Sequence, residues 1–266
     1  MIYFVATPIG NLKDITLRAI EVLESVDVIA CEDTRNSLKL LNHYNIKKKL
    51  IAYHKFNERN SADGIISLAN EGKNIAIISD SGMPLVSDPG HILVSRLKEE
   101  EIPYTVIGGV SASLSALVLS GLETDKFLFL GFLPERKPDK FLEKYKDVEA
   151  SLIFYIAPHS LVKDLKLISD VLGKRTASLV NEISKMYEKT HNFTLGDEIP
   201  FEPRGEYVLV IEGAKERGSR LNELGVNEHI EFYIQTGMDS KEAIKKVAKD
   251  RGVSKSEIYG ANLKNK

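Results

Sequence analysis

The chain reads as an α/β protein, and two observations predict it. Short apolar runs recur along its first half, each followed by a segment with helical spacing. Three of those runs end in Gly-containing turns that lead straight into helices, the pattern of strand ends in an open, mostly parallel sheet. Composition sets the class. Of 266 residues, 43% are apolar and 28% charged, as in a soluble globular protein with room for one large or two medium domains.

The first strand is Ile2–Ala6 (IYFVA), and Thr7-Pro8-Ile9-Gly10-Asn11-Leu12 is its turn. Asp14 or Thr16 caps a helix over Ile15–Ser25, where Leu17, Ile20 and Leu23, with Val26 beyond, fall at helical spacing. Val26–Ala30 is the next strand. Cys31, the only cysteine, sits at its end as a buried thiol and excludes an internal disulfide framework, which fits a reducing cytoplasm. The run continues with a helix near Ser37–His43, a strand Leu50–Tyr53, a helix near Ala62–Ala69 and the strand Asn74–Ile78. A helix near Ile92–Glu100 and the strand Tyr104–Ile107 follow. Gly108-Gly109 then precedes Ser111, the expected cap of a small-residue helix over Ala112–Leu119.

The loop Ser79–Gly90, SDSGMPLVSDPG, is the most informative segment. It leaves a buried strand and is dense in turn formers. Connections of this kind usually take about two to six residues, so its length points to a ligand cradle. Asp80 and Asp88 also have a plainer role available, each bracing its own turn. Neither G-x-G-x-x-G nor a P-loop is present, so no nicotinamide, flavin or nucleoside triphosphate site is indicated.

Leu122–Asp125 is the expected hinge into a second half. Its strands are Phe127–Phe132, Leu152–Ile156, Thr176–Val180 and Tyr207–Ile211, with a helix over Leu161–Val171 ended by Gly173. Pro134–Asp147, charged and proline-punctuated, is expected to be exposed and mobile. After Gly213 the pattern is helical: Asp239 with Glu242 and Ser254 with Glu257 are cap signatures, and Ala243, Ile244, Val247 and Ala248 form an apolar stripe. The break at Gly252-Val253 suggests a helix-turn-helix. The domain reading is 1–121, 122–213 and 214–266. Net charge is −2, yet cations outnumber anions from Asp239 onward, so the tail is either an RNA-facing appendage or a lid on the second domain or a dimer. No apolar stretch is long enough to span a bilayer, which argues against a membrane role.

Candidate chemistry gathers at the strand ends. Glu32, Asp33, Thr34 and Arg35 follow one of them: Arg35 suits a phosphate, and Asp33 or Glu32 a hydroxyl, with helix capping as the other role for Asp33. His54, near Asn57 and Glu58, offers a neutral-pH base. The six histidines lie far apart and no Cys/His cluster occurs, so no metal is expected.

TPIGNLKDITLRAIEVL, ACEDTR, YHKFNE, SDSGMPLVSDPG and FYIAPH, in that order, resemble the ribosomal RNA small subunit methyltransferase I family, part of the tetrapyrrole methylase superfamily. The likeness covers roughly 1–213. It implies two α/β domains of the class III methyltransferase type with a small helical C-terminal appendage, and S-adenosylmethionine bound between them. It implies 2′-O-methylation of a cytidine ribose in small-subunit ribosomal RNA, by a cytoplasmic homodimer acting on the assembled subunit. By the same resemblance the cofactor meets Pro8, Ile9, Gly10, Asp80, Ser81, Gly82, Met83, Val86, Ser111, Ala112, Ile156 and Ala157. Glu182 and Lys185 match family positions that join Asp33 and His54 as catalytic candidates, while Glu32, Arg35 and Asn57 are candidates for the substrate. The chain departs from the family pattern at Ser81, Met83 and His91, at Gly108-Gly109-Val110 where prolines are usual, and at Ser160 and Asn181 where arginines are usual. Two alternatives stand beside this reading: a porphyrinoid or protein acceptor, and a ribosome-binding protein without catalysis.

Overall fold

The computed structural model describes residues 1–53, 58–88, 90–199, 205–214 and 221–263. The first half is a five-stranded parallel sheet of β1 (Ile2–Val5), β2 (Val28–Cys31), β3 (Lys49–Ala52), β4 (Ile75–Ile78) and β5 (Tyr104–Ile107), in the order β3-β2-β4-β1-β5. Alternate residues on each strand face opposite layers. Ile2, Phe4, Ile75 and Ile77 pack against Ile65 of α3 (Glu58–Asn70) and Leu93 and Leu97 of α4 (His91–Glu99). Val5, Ile29, Ala76 and Ile78 meet Ala19 and Leu23 of α1 (Leu17–Ser25) and Leu41 of α2 (Thr34–His43) on the other face. Cys31 is buried in that second layer, and burial pushes its thiol up from its ordinary value.

The second half is a mixed sheet: β6 (Phe127–Phe132), β7 (Ser151–Ile156), β8 (Thr176–Asn181), β9 (Lys189–Thr194) and β10 (Tyr207–Ile211), ordered β6-β7-β10-β8-β9. Only β6 and β7 run parallel within it. One face packs on α6 (Pro138–Glu143) and α7 (Leu161–Leu172), which Gly173 ends with φ +76°. The other face, through Ile153, Val180, Val208 and Val210, packs on Ala116 and Leu117 of α5 (Ala112–Ser120). This explains the small residues of α5: the helix belongs to the first half in sequence and covers the sheet of the second.

Three sequence expectations need correction. Pro134–Asp147 is not simply exposed and mobile, because α6 lies within it: Leu142 is fully buried, and Phe141 and Tyr145 pack on the core. Leu142→Ala should therefore cost about 2–5 kcal/mol in urea unfolding, where a mobile surface segment would lose almost nothing. Strand β9 was not foreseen, because its residues KTHNFT are polar and alternate between exposed and half-buried at a sheet edge. Ser111 occupies the N-cap of α5 without capping it; its hydroxyl pairs with Ser113 Oγ at 3.0 Å. By contrast Thr16 caps α1 and Asp33 caps α2 as read.

Three further helices, α8 (Val226–Gln235), α9 (Ser240–Asp250) and α10 (Lys255–Leu263), share a small core of their own that includes the Ala243, Ile244, Val247 and Ala248 stripe. Buried His229 accepts from Arg251 Nε at 3.2 Å, and Tyr233 and Lys246 donate to Asp250 at 2.5 and 2.9 Å. Lys241, Lys245 and Lys249 face solvent. None of the described helices is long and apolar enough to cross a membrane.

Candidate active site

The ends of β1 and β4 are tied together. Thr7 N donates to Gly82 O at 2.9 Å, and Gly82 N donates back to Thr7 O at 3.1 Å. Thr7 Oγ1 also donates to Ser79 O at 3.2 Å. Gly82 holds φ +79°, a left-handed conformation that glycine adopts without steric cost. Leu85 and Ser87, further along the same loop, sit at φ +71° and +68°, so the loop is held in a strained path.

Between this loop and the end of the second sheet lies a cavity of about 480 Å³, within the size range of small-molecule sites. Nine of the twelve residues expected at the cofactor line it: Ile9, Ser81, Gly82, Met83 and Val86 from the first half, Ser111 and Ala112 at the start of α5, and Ile156 and Ala157 at the end of β7. Pro8, Gly10 and Asp80 do not line it. Asp80 turns the other way. Its two carboxylate oxygens accept from Asp33 N at 3.1 Å and Asn36 Nδ2 at 3.0 Å, fixing the start of α2 against the loop.

The structure adds wall residues that sequence reasoning did not assign to the site: Asp88, Phe132, Tyr155, His159 and Glu206. Phe132 and Glu206 reach the cavity only through the pairing of the second sheet, whereas Tyr155 and His159 lie in the segment FYIAPH beside Ile156 and Ala157. Asp88 could have been found, since it lies in the long loop. Its carboxyl is raised to about 6, chiefly by burial and then by the neighbouring charge of Glu32, with the Ser79 hydroxyl acting the other way. Burial likewise pushes the Tyr155 phenol up, against a hydrogen bond with Ser113.

The catalytic candidates separate. Asp33 caps α2 and pairs with Arg35, whose Nη2 lies 2.8 Å from Asp33 Oδ2. That contact lowers the Asp33 carboxyl to about 2 and leaves it a weak base. Arg35 is strongly exposed, and neither it nor Glu32 lines the cavity. His54 and Asn57 lie outside the described residues. Glu182 and Lys185 come together. Lys185 Nζ donates to Glu182 Oε1 at 3.2 Å, and both line a side recess that shares Ile9, Ser81 and Ala112 with the main cavity. The Lys185 stem lies over Gly10, where a Cβ would fall 2.6 Å from two of its carbons. Gly10 therefore serves by leaving room for this lysine.

The wall suits a charged, partly aromatic ligand. Val86, Ile156 and Val208 give an apolar floor, Tyr155 and Phe132 give ring surfaces, Ser81 and Ser111 give hydroxyls, and Asp88 gives an anion with no salt bridge among the described residues. A methylated sulfonium joined to a nucleoside has matching parts.

The family described as Tetrapyrrole (Corrin/Porphyrin) Methylases matches residues 1–198. The chain is 43% identical to a protein of Halalkalibacterium halodurans named ribosomal RNA small subunit methyltransferase I, over 97% of this chain and 93% of that one. It is 41% identical to a protein of the same name from Bacillus subtilis, over 98% and 93%. Among solved structures, the uroporphyrin-III-C-methyltransferase of Thermus thermophilus matches with a TM-score of 0.58 over 79% of this chain and 93% of its own, at 20% identity, a likeness of fold.

Proposed function

Since the chain belongs to the ribosomal RNA small subunit methyltransferase I family of tetrapyrrole methylases, we propose that it methylates the 2′-oxygen of a cytidine ribose in small-subunit ribosomal RNA. Its methyl donor is S-adenosylmethionine, which supplies a methyl group already activated by a sulfonium charge. The observation that carries the reading is the cavity between the two sheets, with the Lys185–Glu182 pair beside it.

In this reading the loop at Ser81 and Met83, shaped by the Thr7–Gly82 bridge, the floor of Val86 and Ile156 and the carboxylate of Asp88 hold the donor. The acceptor hydroxyl enters by the recess at Lys185. A ribose hydroxyl is a poor acid, and an ammonium nearby stabilises the negative charge that develops on its oxygen as the hydroxyl proton passes to solvent water; that oxygen would take the methyl as the methyl–sulfur bond breaks, and the neutral thioether would leave with the rest of the donor. Glu182 holds that ammonium in place. The chain's remaining work is alignment of oxygen and methyl at near-attack distance. A paired and stacked ribose is hard to reach, so the substrate is a splayed nucleotide within the assembled subunit. A homodimer belongs to the same reading, and its mass in solution tests that part.

The deciding experiment is transfer from labelled S-adenosylmethionine to small subunits lacking the modification, mapped by mass spectrometry. One new 2′-O-methylcytidine is the expected product, and labelled base or protein instead would overturn the assignment. Lys185→Met keeps the apolar stem over Gly10 and removes the charge. It should lower kcat about 100-fold while donor affinity stays within about twofold. An unchanged kcat would remove Lys185 from the chemistry.

A further inference from the structure

We propose that the turn 182–188, between β8 and β9, holds a nucleobase of the acceptor strand, with Tyr187 as the stacking surface and Met186 beside it. The inference rests on the reading of the site as an RNA methyltransferase and names the part of the protein that would grip the RNA.

Met186 and Tyr187 are 89% and 71% exposed, in a chain whose other large apolar groups mostly lie in its cores. Their exposure is not that of a loose loop. Ser184 Oγ donates to the Asp14 carboxylate, and Ser184 N donates to Glu188 Oε2 at 2.7 Å. Lys185 N donates to Glu182 O at 3.0 Å, and Glu188 N to Lys185 O at 3.2 Å. Glu182 and Ser184 both take left-handed backbone, at φ +52° and +67°, which non-glycine residues adopt only where the surroundings impose it. The fold thus fixes a strained turn that presents two large apolar side chains to water.

Position selects the occupant. Asn181, where the turn begins, pairs with Tyr207 of the cavity wall, and Lys185 within the turn lines the side recess. At the other edge of the same sheet end, Phe132 is 57% exposed and also lines the cavity. The strands of Phe132 and Asn181 are separated by three strand spacings, about 14 Å, so the turn and Phe132 lie at the same end of the sheet, where the cavity is. Exposed Lys189 follows Tyr187 by two residues, while the Lys185 ammonium is held by Glu182. An exposed ring beside an exposed cation suits a single strand: the ring takes a base and the Lys189 ammonium a neighbouring phosphate. An enzyme that must reach the ribose of a splayed nucleotide needs such a hold beside its cavity.

The test is steady-state methyl transfer to unmethylated small subunits by the full chain. Tyr187→Ala should raise KM for the subunit about tenfold or more, with kcat, S-adenosylmethionine affinity and Tm unchanged. Tyr187→Phe should restore KM, since the ring does the work. An unchanged KM, or a loss that follows a fall in Tm, overturns the proposal. A photoreactive residue at 186 decides the occupant: adducts on RNA are expected, whereas adducts confined to a ribosomal protein would overturn it. Absence of transfer by the unaltered enzyme in the same assay would instead overturn the function proposed above.

Discussion

Asp88→Asn should make the protein more stable and a worse enzyme at once. The Asp88 carboxyl titrates near 6 in the fold against 3.8 in an unstructured chain, because cavity walls strip its water and Glu32 adds like charge. An acid whose folded pKa is raised favours the fold while it is protonated. That contribution is complete below about 4 and is lost as pH rises through about 6. At pH 7.5 the ionised side chain is therefore a net burden. Asparagine removes it, and after allowance for solvent screening of a half-exposed group the gain is about 1 kcal/mol, a rise of roughly 2–4 °C in Tm. The same charge is what a cationic donor meets in the cavity. Losing it should weaken S-adenosylmethionine binding by about tenfold or more. In the unaltered protein, affinity should rise between pH 5 and 7 with a midpoint near 6, and in Asp88→Asn that dependence should flatten. Calorimetric titration across pH measures both. A fall in Tm on substitution would show Asp88 to be a brace of its own turn.

Gly82→Val should have the larger effect on the cavity. Space is not the obstacle, since a Cβ there would rest 3.4 Å from Ile9 Cγ2, an ordinary contact. The obstacle is φ +79°, which costs a side-chain-bearing residue about 1–2 kcal/mol and a β-branched one more. Relief requires the loop to rotate, and both backbone bonds to Thr7 must break for it to do so. The wall formed by Ser81, Gly82 and Met83 would then move. Donor affinity should fall by about 100-fold with a Tm loss of several degrees, and Gly82→Ala should lie between. Affinity unchanged in Gly82→Val would show that the bridge from Thr7 to Gly82 does not shape the cavity.

Most of the framework was legible because it rests on short-range signals. Apolar runs of strand length and Gly-containing strand ends located all five strands of the parallel sheet within a residue or two. The strand Phe127–Phe132 and the capped helix at Asp239 were equally plain. What escaped depends on distant neighbours. Strand β9 is polar and gains its identity from pairing with β8. Helix α6 hides its buried Leu142 among charges. At the cavity, the loop Ser79–Gly90 stood out by its length and turn formers, but Asp80 faces Asp33 and Asn36 while Asp88 lines the cavity. A sequence cannot distinguish two aspartates in one loop until the backbone path decides which way each turns.

The order of strands in the first sheet also governs how the chain is made. Strand β1 leaves the ribosome well before its partners, β4 at Ile75 and β5 at Tyr104. At typical rates of about 5–20 residues per second, roughly 5 to 20 seconds pass before both are available. Until β4 emerges an apolar strand waits with both edges open, and the β1–β5 pair at the edge of the sheet is the last to close. The newborn chain is therefore most prone to aggregate early in synthesis, and a chaperone that shields Ile2–Val5 until β5 emerges would raise the yield more than one acting on the finished protein.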